Sequence, residues 1–434
     1  MPRLAWPHRA LAWPLVGPTA ASLAVASTAL FGFVGVGRGG GAPFGFDGRF
    51  LQVAGAMWLR GANPYSATAF EAAARAMGAP SVGAAGFAYP PTAAPLAMLL
   101  GAMSFRAGAV AIGLLNVLAA MAVVTLVLRL LPAASARRVD VQAFVVVAVF
   151  ASPFVQHVFW MGQTTLLALA ALLGGWYAGV SRGRTLLGGT LLALSTLKPQ
   201  LVVFSLAWLL VERRWLLSVA TAAAASVMAL PSGLASHGPV SVGLDWVHAL
   251  TRYAGGPVQT ASFQHVFGVR SLLVLSGLAP ASSVAAATLI VLLAVVSLAL
   301  LWGANGASGA NAANGTSELG VPALTLALSV LLVYAHDYDL AVLSPLFVFA
   351  WVEAEHRPAA ATFVVFAMAA LFVPQRLLRG IEGVASRPWI LHWREVVGLA
   401  MVALCLLRLL RSARVGRAGG VGGVGGAGAL TQSG

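Results

Sequence analysis

Apolar residues in this chain fall in long, nearly unbroken blocks, parted by short stretches that carry the basic residues, prolines and glycines. Blocks of about 20 apolar residues predict helices that cross a bilayer. Lys and Arg gather at the cytoplasmic ends of such helices, so the basic clusters set the direction in which each block runs. Arg3 and Arg9 put the N-terminus inside, and the first block, roughly Trp13 to Val36, runs outward. It is too long for the apolar core of a cleavable signal peptide and lacks a clear cleavage signature. The next inside marks are Arg129, Arg137 and Arg138, which follow a block from about Ala107 to Leu131. The run between, Thr92 to Ser104, has the length of an interfacial or re-entrant helix. Read as a crossing, it would put the arginine pair outside. One large external loop, about 37–106, holding juxtamembrane helices is therefore predicted.

Further along, Val141 to Phe159 runs out and Thr164 to Val180 returns to Arg182 and Arg184. Two short arms, Thr185 to Leu197 and Leu201 to Val211, then place Lys198-Pro199 at an outer turn before Arg213-Arg214. Trp215 to Leu230 leads to a second external loop, Pro231 to Phe267, and Ser282 to Trp302 returns. The last blocks are about Pro322 to Tyr334, Leu340 to Trp351, Ala359 to Val373 and Val396 to Leu410. The expectation is an all-α polytopic integral membrane protein with about 12 transmembrane helices and both termini inside. Residues 1–417 form one transmembrane domain, 303–320 read as a flexible inside linker, and 418–434 as a disordered Gly-rich tail. Arg376, Arg379, Arg387 and Arg394 break the pattern by falling in a loop that parity places outside. Either the count is off by one near the end, or these arginines face anionic groups at the outer surface.

Composition agrees with the pattern. Hydrophobic residues make up 59% of the 434 and charged ones 9%, with a mean hydropathy of +0.89, whereas soluble domains carry about 25% charged residues. The formal charge of +14 sits in short clusters between blocks rather than on one face, which argues topology signals and no nucleic-acid partner. The single cysteine, Cys405, excludes an intramolecular disulfide. No phosphate-binding Gly-rich loop, His-Glu-x-x-His, Gly-x-Ser-x-Gly or Cys cluster is present, which argues against a nucleotide-fuelled or zinc enzyme.

The polar residues left over gather on one side. Asp47, Gln163, Lys198, His336, Asp337 and Asp339 all fall at or near the outer surface, and ionisable groups at membrane depth default to functional roles. Plainer roles exist for each. Asp47 suits the N-cap of a helix over Gly48 to Arg60, Lys198 suits an interfacial lysine, His336–Asp339 a polar turn, and Gly162-Gln163 a helix break. Asn63-Pro64-Tyr65 and Tyr89-Pro90-Pro91 shape the first external loop, and Tyr65 and Tyr89 offer flat faces and hydroxyls to a sugar ring.

Taken in order, Asp47, Gly61-Ala62-Asn63-Pro64-Tyr65, Phe87-Ala88-Tyr89-Pro90-Pro91, Gly162-Gln163, Leu197-Lys198-Pro199 and His336-Asp337-Tyr338-Asp339 resemble the membrane glycosyltransferase family 87 over roughly Phe31 to Leu346. The resemblance implies a GT-C-type bundle and transfer of a sugar, mannose first among the candidates, from a polyprenyl-phosphate donor to a glycolipid or glycan acceptor. It implies an active site on the outer face of a bacterial inner membrane. Many sugar transferases of this fold carry two acidic residues where Phe46-Asp47-Gly48 offers one, a departure that argues against a metal-bridged donor. The roles that follow are Asp47 as catalytic base and Lys198 with His336 as partners of the donor phosphate. Tyr65, Tyr89, Gln163, Asp337 and Asp339 are assigned to the sugar and acceptor, with inversion at the anomeric carbon and no metal or cofactor. A secondary transporter or a polyprenyl-lipid flippase is the alternative. The missing internal repeat and the one-sided polar cluster argue against a transporter, and a flippase would not need Asp47.

Overall fold

The computed structural model describes residues 16–35, 42–79, 86–254, 265–306, 317–354, 357–373 and 392–420. Its helices are α1 (Val16–Thr28), α2 (Phe46–Leu59), α3 (Ala67–Ala76), α4 (Ala94–Gly101), α5 (Phe105–Leu130), α6 (Ala133–Ala136), α7 (Val139–Phe150), α8 (Pro153–Met161), α9 (Thr165–Gly175) and α10 (Thr185–Ser195). There follow α11 (Pro199–Val211), α12 (Trp215–Ala235), α13 (Pro239–Ala254), α14 (Val269–Leu275), α15 (Pro280–Gly306), α16 (Gly320–Leu332), α17 (Ser344–Glu353), α18 (Pro358–Phe372) and α19 (Trp393–Gly420). Two short strands, β1 (Val266–Phe267) and β2 (Ala335–His336), pair antiparallel with Val266 opposite His336 and Phe267 opposite Ala335.

Three helices are long and apolar enough to cross a membrane: Val16–Val34, which carries α1 on through a π-helical turn, then Phe105–Leu130 and Trp215–Ala235. The pair α7 and α8, bent by 48°, adds a fourth if taken as one span. Among the described residues the expected dozen crossings therefore stand at three or four by length, and seven further apolar stretches have 10–17 residues, one of them, Ser282–Val296, lying within the 27-residue α15. A 13-residue helix covers about 20 Å, short of a hydrocarbon core of about 30 Å. The shortening has a visible cause, because polar breaks at 162–164, 196–198 and 333–336 interrupt the apolar blocks. Irregular backbone at such depth is tolerated where protein buries it or where it lines a cavity.

Other boundaries also differ from expectation. Residues 303–306 continue α15 and Gly320 begins α16, which narrows the linker to the stretch around 307–316, itself outside the described residues. Residues 418–420 belong to α19, while the rest of the expected tail, 421–434, lies outside the described residues. Arg376, Arg379 and Arg387 also lie outside them. Arg394 is buried, its guanidinium over the Phe154 and Trp393 rings and donating to the Val373 carbonyl.

Apolar packing divides into two clusters. The larger joins α5 and α7–α11 to α16–α18 through residues such as Phe159, Leu172, Phe204, Leu326 and Phe349. The smaller belongs to the segment that carries α2–α4, with Leu51, Trp58, Tyr65, Phe70, Phe87 and Leu100, and takes in Leu197 and Val242 from distant parts of the chain. Within it α2 and α4 touch backbone to backbone. A Cβ on Gly55 would run into the Ala97 carbonyl, and one on Gly101 into the Ala56 nitrogen. The loop helices are thus a packed unit rather than a tether, and they hold the start of α2 in place.

Candidate active site

One cavity of about 730 Å³ opens where the broken helices end. Its wall takes Asp47 from the first turn of α2, Tyr89 from the extended stretch before α4 and Gln163 from the break between α8 and α9. Lys198 comes from the break between α10 and α11, and His336, Asp337 and Asp339 from β2 and the 3-10 turn after it. Residues far apart in sequence meet here because each sits at a point where a helix stops.

Two glycines bring Asp47 to Gln163. Gly45 at φ +74° precedes α2 and donates its N–H to the Trp160 carbonyl at 2.8 Å, and Gly162 at φ +68° ends α8. Other residues resist this left-handed conformation. A Cβ on Gly162 would also come within 3.2 Å of Gly45 Cα, and one on Gly45 within 2.9 Å of Ala109 Cβ, so neither turn has room for a side chain. Gly45 is the N-cap of α2, which leaves Asp47 inside the first turn rather than at the cap. Gln163 Nε2 donates to Asp47 Oδ2, the Tyr89 hydroxyl donates to Gln163 Oε1 at 2.9 Å, and Asn116 Nδ2 donates to the Gln163 carbonyl at 3.0 Å. The carboxylate is therefore aimed by a chain of amides and a phenol that burial keeps protonated.

No cation lies within ion-pair distance of Asp47 among the described residues. Burial raises its pKa to about 6, against the lowering pull of the Gln163 hydrogen bond and of the more distant Lys198 and His157. Such a group is ionised at neutral pH yet close to its titration point, which suits it to take up a proton.

The other two carboxylates are engaged. Lys198 Nζ lies 2.7 Å from Asp339 Oδ1, both side chains buried, and the ammonium sits 4.5 Å from the Tyr338 ring centroid. Thr165 Oγ1 donates to the same oxygen at 2.8 Å, and Asp339 Oδ2 accepts the His336 N–H at 3.2 Å. Asp337 stands between His157 Nδ1 at 3.3 Å and His265 Nδ1 at 3.2 Å. Burial alone would raise its pKa, but the two imidazoles outweigh that and hold it well below the usual carboxylate range. The β ladder explains the placement of His265, which precedes β1 and accepts the Asp337 N–H on its carbonyl at 3.0 Å.

His336 is fixed from both sides. Its side chain accepts from the Asp339 backbone N–H, which leaves the proton of the neutral ring on Nε2, 3.0 Å from the Tyr334 hydroxyl and 3.5 Å from that of Tyr253. Burial lowers its pKa against the pull of Asp339 and Asp337, so near neutrality it offers a hydrogen bond rather than a charge.

Seven of the eight residues singled out in the sequence line this cavity, and Tyr65 does not. Tyr65 is 2% exposed, packs its ring against Phe87 and Trp58, and donates its hydroxyl to the Tyr89 carbonyl at 2.9 Å. It supports Tyr89 from behind and lies outside the cavity lining. Its motif serves the fold: Asn63 Oδ1 accepts the Tyr65 N–H at 3.0 Å, Asn63 Nδ2 donates to Asp245 of α13 at 2.7 Å, and Arg252 of α13 donates to the Tyr65 carbonyl at 2.6 Å. α13 is thereby docked on the segment that carries α2–α4.

Sequence reasoning missed His157, Tyr253, His265 and Arg270, all in the cavity wall. His157 was detectable, being an ionisable residue inside the apolar run of α8. Arg270 carried no signal beyond its charge. Its Nε is buried without a hydrogen-bond partner, and its guanidinium has no carboxylate beside it among the described residues. No group of three His, Cys, Asp or Glu is placed to hold a metal ion among the described residues.

The model of glycosyltransferase family 87 matches residues 87–333, more than half of the chain. The match takes in Tyr89, Gln163, Lys198 and Arg270 and leaves Asp47 and His336–Asp339 on either side. No curated protein and no solved structure matches the chain.

Proposed function

Because this chain belongs to glycosyltransferase family 87, and so is a membrane glycosyltransferase moving a sugar from donor to acceptor, we propose that the cavity takes its sugar from a polyprenyl-phosphate carrier, mannose being the first candidate. The acceptor is a glycolipid or glycan hydroxyl at the outer face of a bacterial inner membrane, with both termini of the chain cytoplasmic. The observation that carries this reading is that, among the described residues, a carboxylate with no cation beside it, Asp47, shares one cavity with a guanidinium that has no anion beside it, Arg270.

The chemistry divides between them. The acceptor oxygen forms a bond to the anomeric carbon while Asp47 takes the acceptor's proton, and the bond from that carbon to the phosphate oxygen breaks with its electron pair leaving on the phosphate. Attack from the face opposite the leaving group inverts the anomeric carbon. Arg270 is assigned to the departing phosphate, where a fork of donors suits the oxygens of a phosphate ester. Lys198 keeps donors beyond the one given to Asp339, and His336 adds an Nε2 hydrogen bond, so both assist. The phosphate ester leaves as a stable anion onto these donors, and the step is written without a metal. Tyr89 and Gln163 orient the base, and Asp337 and Asp339 organise the cations around the sugar.

The test is transfer of labelled mannose from polyprenyl-phosphate-mannose to a membrane lipid extract by the purified protein. Transfer by the wild type, lost in Asp47→Asn with donor binding kept, is the expected result. Equal transfer by both proteins removes Asp47 from the chemistry, and no transfer by either rejects the donor assigned here.

A further inference from the structure

A second groove, of about 780 Å³, lies outside the cavity between α5, α9 with its continuation to Ser181, and α10. Its walls are apolar, with Leu118, Leu126, Ala170 and Leu191 among them, and Leu118 is 62% exposed, so the groove opens outward. All three helices end it with the same chemistry: Arg129 on α5, Arg182 just after the α9 continuation, and Arg184 just before α10. Arg129 and Arg182 place their guanidinium carbons 5.7 and 5.0 Å from the centroid of the Tyr177 ring, and Arg182 Nε donates to the Tyr177 hydroxyl at 3.1 Å. No acidic residue lines the groove, and none of the three arginines has a carboxylate partner among the described residues.

Arginines that serve only as topology signals need be near a span end and nothing more. Arg129 and Arg182 meet around one tyrosine, Tyr177, and Arg184 lines the same end of the apolar groove. From Leu115 to Arg129 the groove follows α5 for about 21 Å, longer than one leaflet of a hydrocarbon core about 30 Å thick. That combination, a cationic head site and an apolar track of acyl-chain length, matches a lipid carrying a phosphate. We propose that the groove holds an anionic phospholipid of the cytoplasmic leaflet, its phosphate among Arg129, Arg182 and Arg184 and one acyl chain along α5, α9 and α10.

The test is native mass spectrometry of the full chain, purified in detergent with equal phosphatidylglycerol and phosphatidylcholine, which have similar chains and differ in net charge. The expected wild-type result is preferential retention of phosphatidylglycerol by about tenfold or more, with inorganic phosphate unable to displace it. Arg182→Gln with Arg184→Gln should abolish the preference, while Arg129, Arg137 and Arg138 remain to hold topology. Ala122→Leu, which narrows the groove and keeps every arginine, should lower retention as well. Equal retention of the two lipids by the wild type, or an undiminished preference in both variants, would overturn the proposal. Displacement of the lipid by inorganic phosphate would do so too, by reducing the site to one for small anions.

Discussion

Asp47 and the pair Asp337 and Asp339 face the same cavity from opposite ends of the sequence, and their surroundings differ. Asp47 is held by one amide and has no cation in contact among the described residues, and its pKa is pushed up to about 6. Asp339 carries Lys198 at 2.7 Å, and Asp337 lies between two histidines and stays ionised far below the usual range. The contrast separates two uses of a buried carboxylate. A paired one is spent on holding cations in place, and an unpaired one can still accept a proton. Burial alone would not have made the distinction, because Asp47 and Asp337 are both half-buried in the same walls while Asp339 is fully buried.

Asparagine at each position should split the two uses. Asp47→Asn is expected to cost transfer about 10²- to 10⁴-fold, the range of a positioned general base, with the fold intact by circular dichroism. The sign of its stability effect is opposite to the usual carboxylate case. A raised pKa means the folded state holds the proton more tightly, so stability from Asp47 is present below the unfolded carboxylate pKa and is lost as pH rises through about 6. Thermal unfolding of Asp47→Asn at pH 8 should therefore come at or above the wild-type temperature. Asp339→Asn should behave in reverse, losing about 3 to 5 kcal/mol because Lys198 is left buried without its partner; an unchanged melting temperature would show the pair to be dispensable.

Arg270→Gln tests the cation that has no anion beside it. Removing a charge-assisted contact to the donor phosphate is expected to cost about 10- to 100-fold in kcat/KM, with little change in melting temperature, since no partner of Arg270 is orphaned among the described residues. A loss of stability without loss of transfer would assign Arg270 to the fold. The smallest effect belongs to Tyr65→Phe, which removes one hydrogen bond to the Tyr89 carbonyl. It should lower stability by about 1 kcal/mol and leave KM for the donor unchanged; a large rise in KM would return Tyr65 to the sugar site.

Much of this site could be read from the chain because of one physical rule. Polar groups inside an apolar block are costly, so Gln163, Lys198 and His336–Asp339 stood out before any coordinates were known. Tyr65 misled because an aromatic ring with a hydroxyl suits a sugar and a packed loop equally well, and only its hydrogen bonds tell them apart. Arg270 and His265 were hidden for the opposite reason. They lie near the end of a polar loop, where charge is ordinary, and the β1–β2 ladder that turns this segment toward the cavity joins strands about seventy residues apart in sequence. The span count divides on length: among the described residues three helices, or four with the bent pair, are long enough to cross. Hydropathy marks each apolar block as a crossing, but the residues that break helices to build the cavity also shorten them.

The most direct test of the central claim, that Asp47 is the base, is the pH dependence of kcat/KM for sugar transfer by the wild-type protein. A base must be unprotonated to act, so the rate should climb about tenfold per pH unit at low pH and level off above about 6, where Asp47 has lost its proton. A profile that stays flat from pH 5 to 7 would contradict it, because no carboxylate held at that value could then be taking the proton.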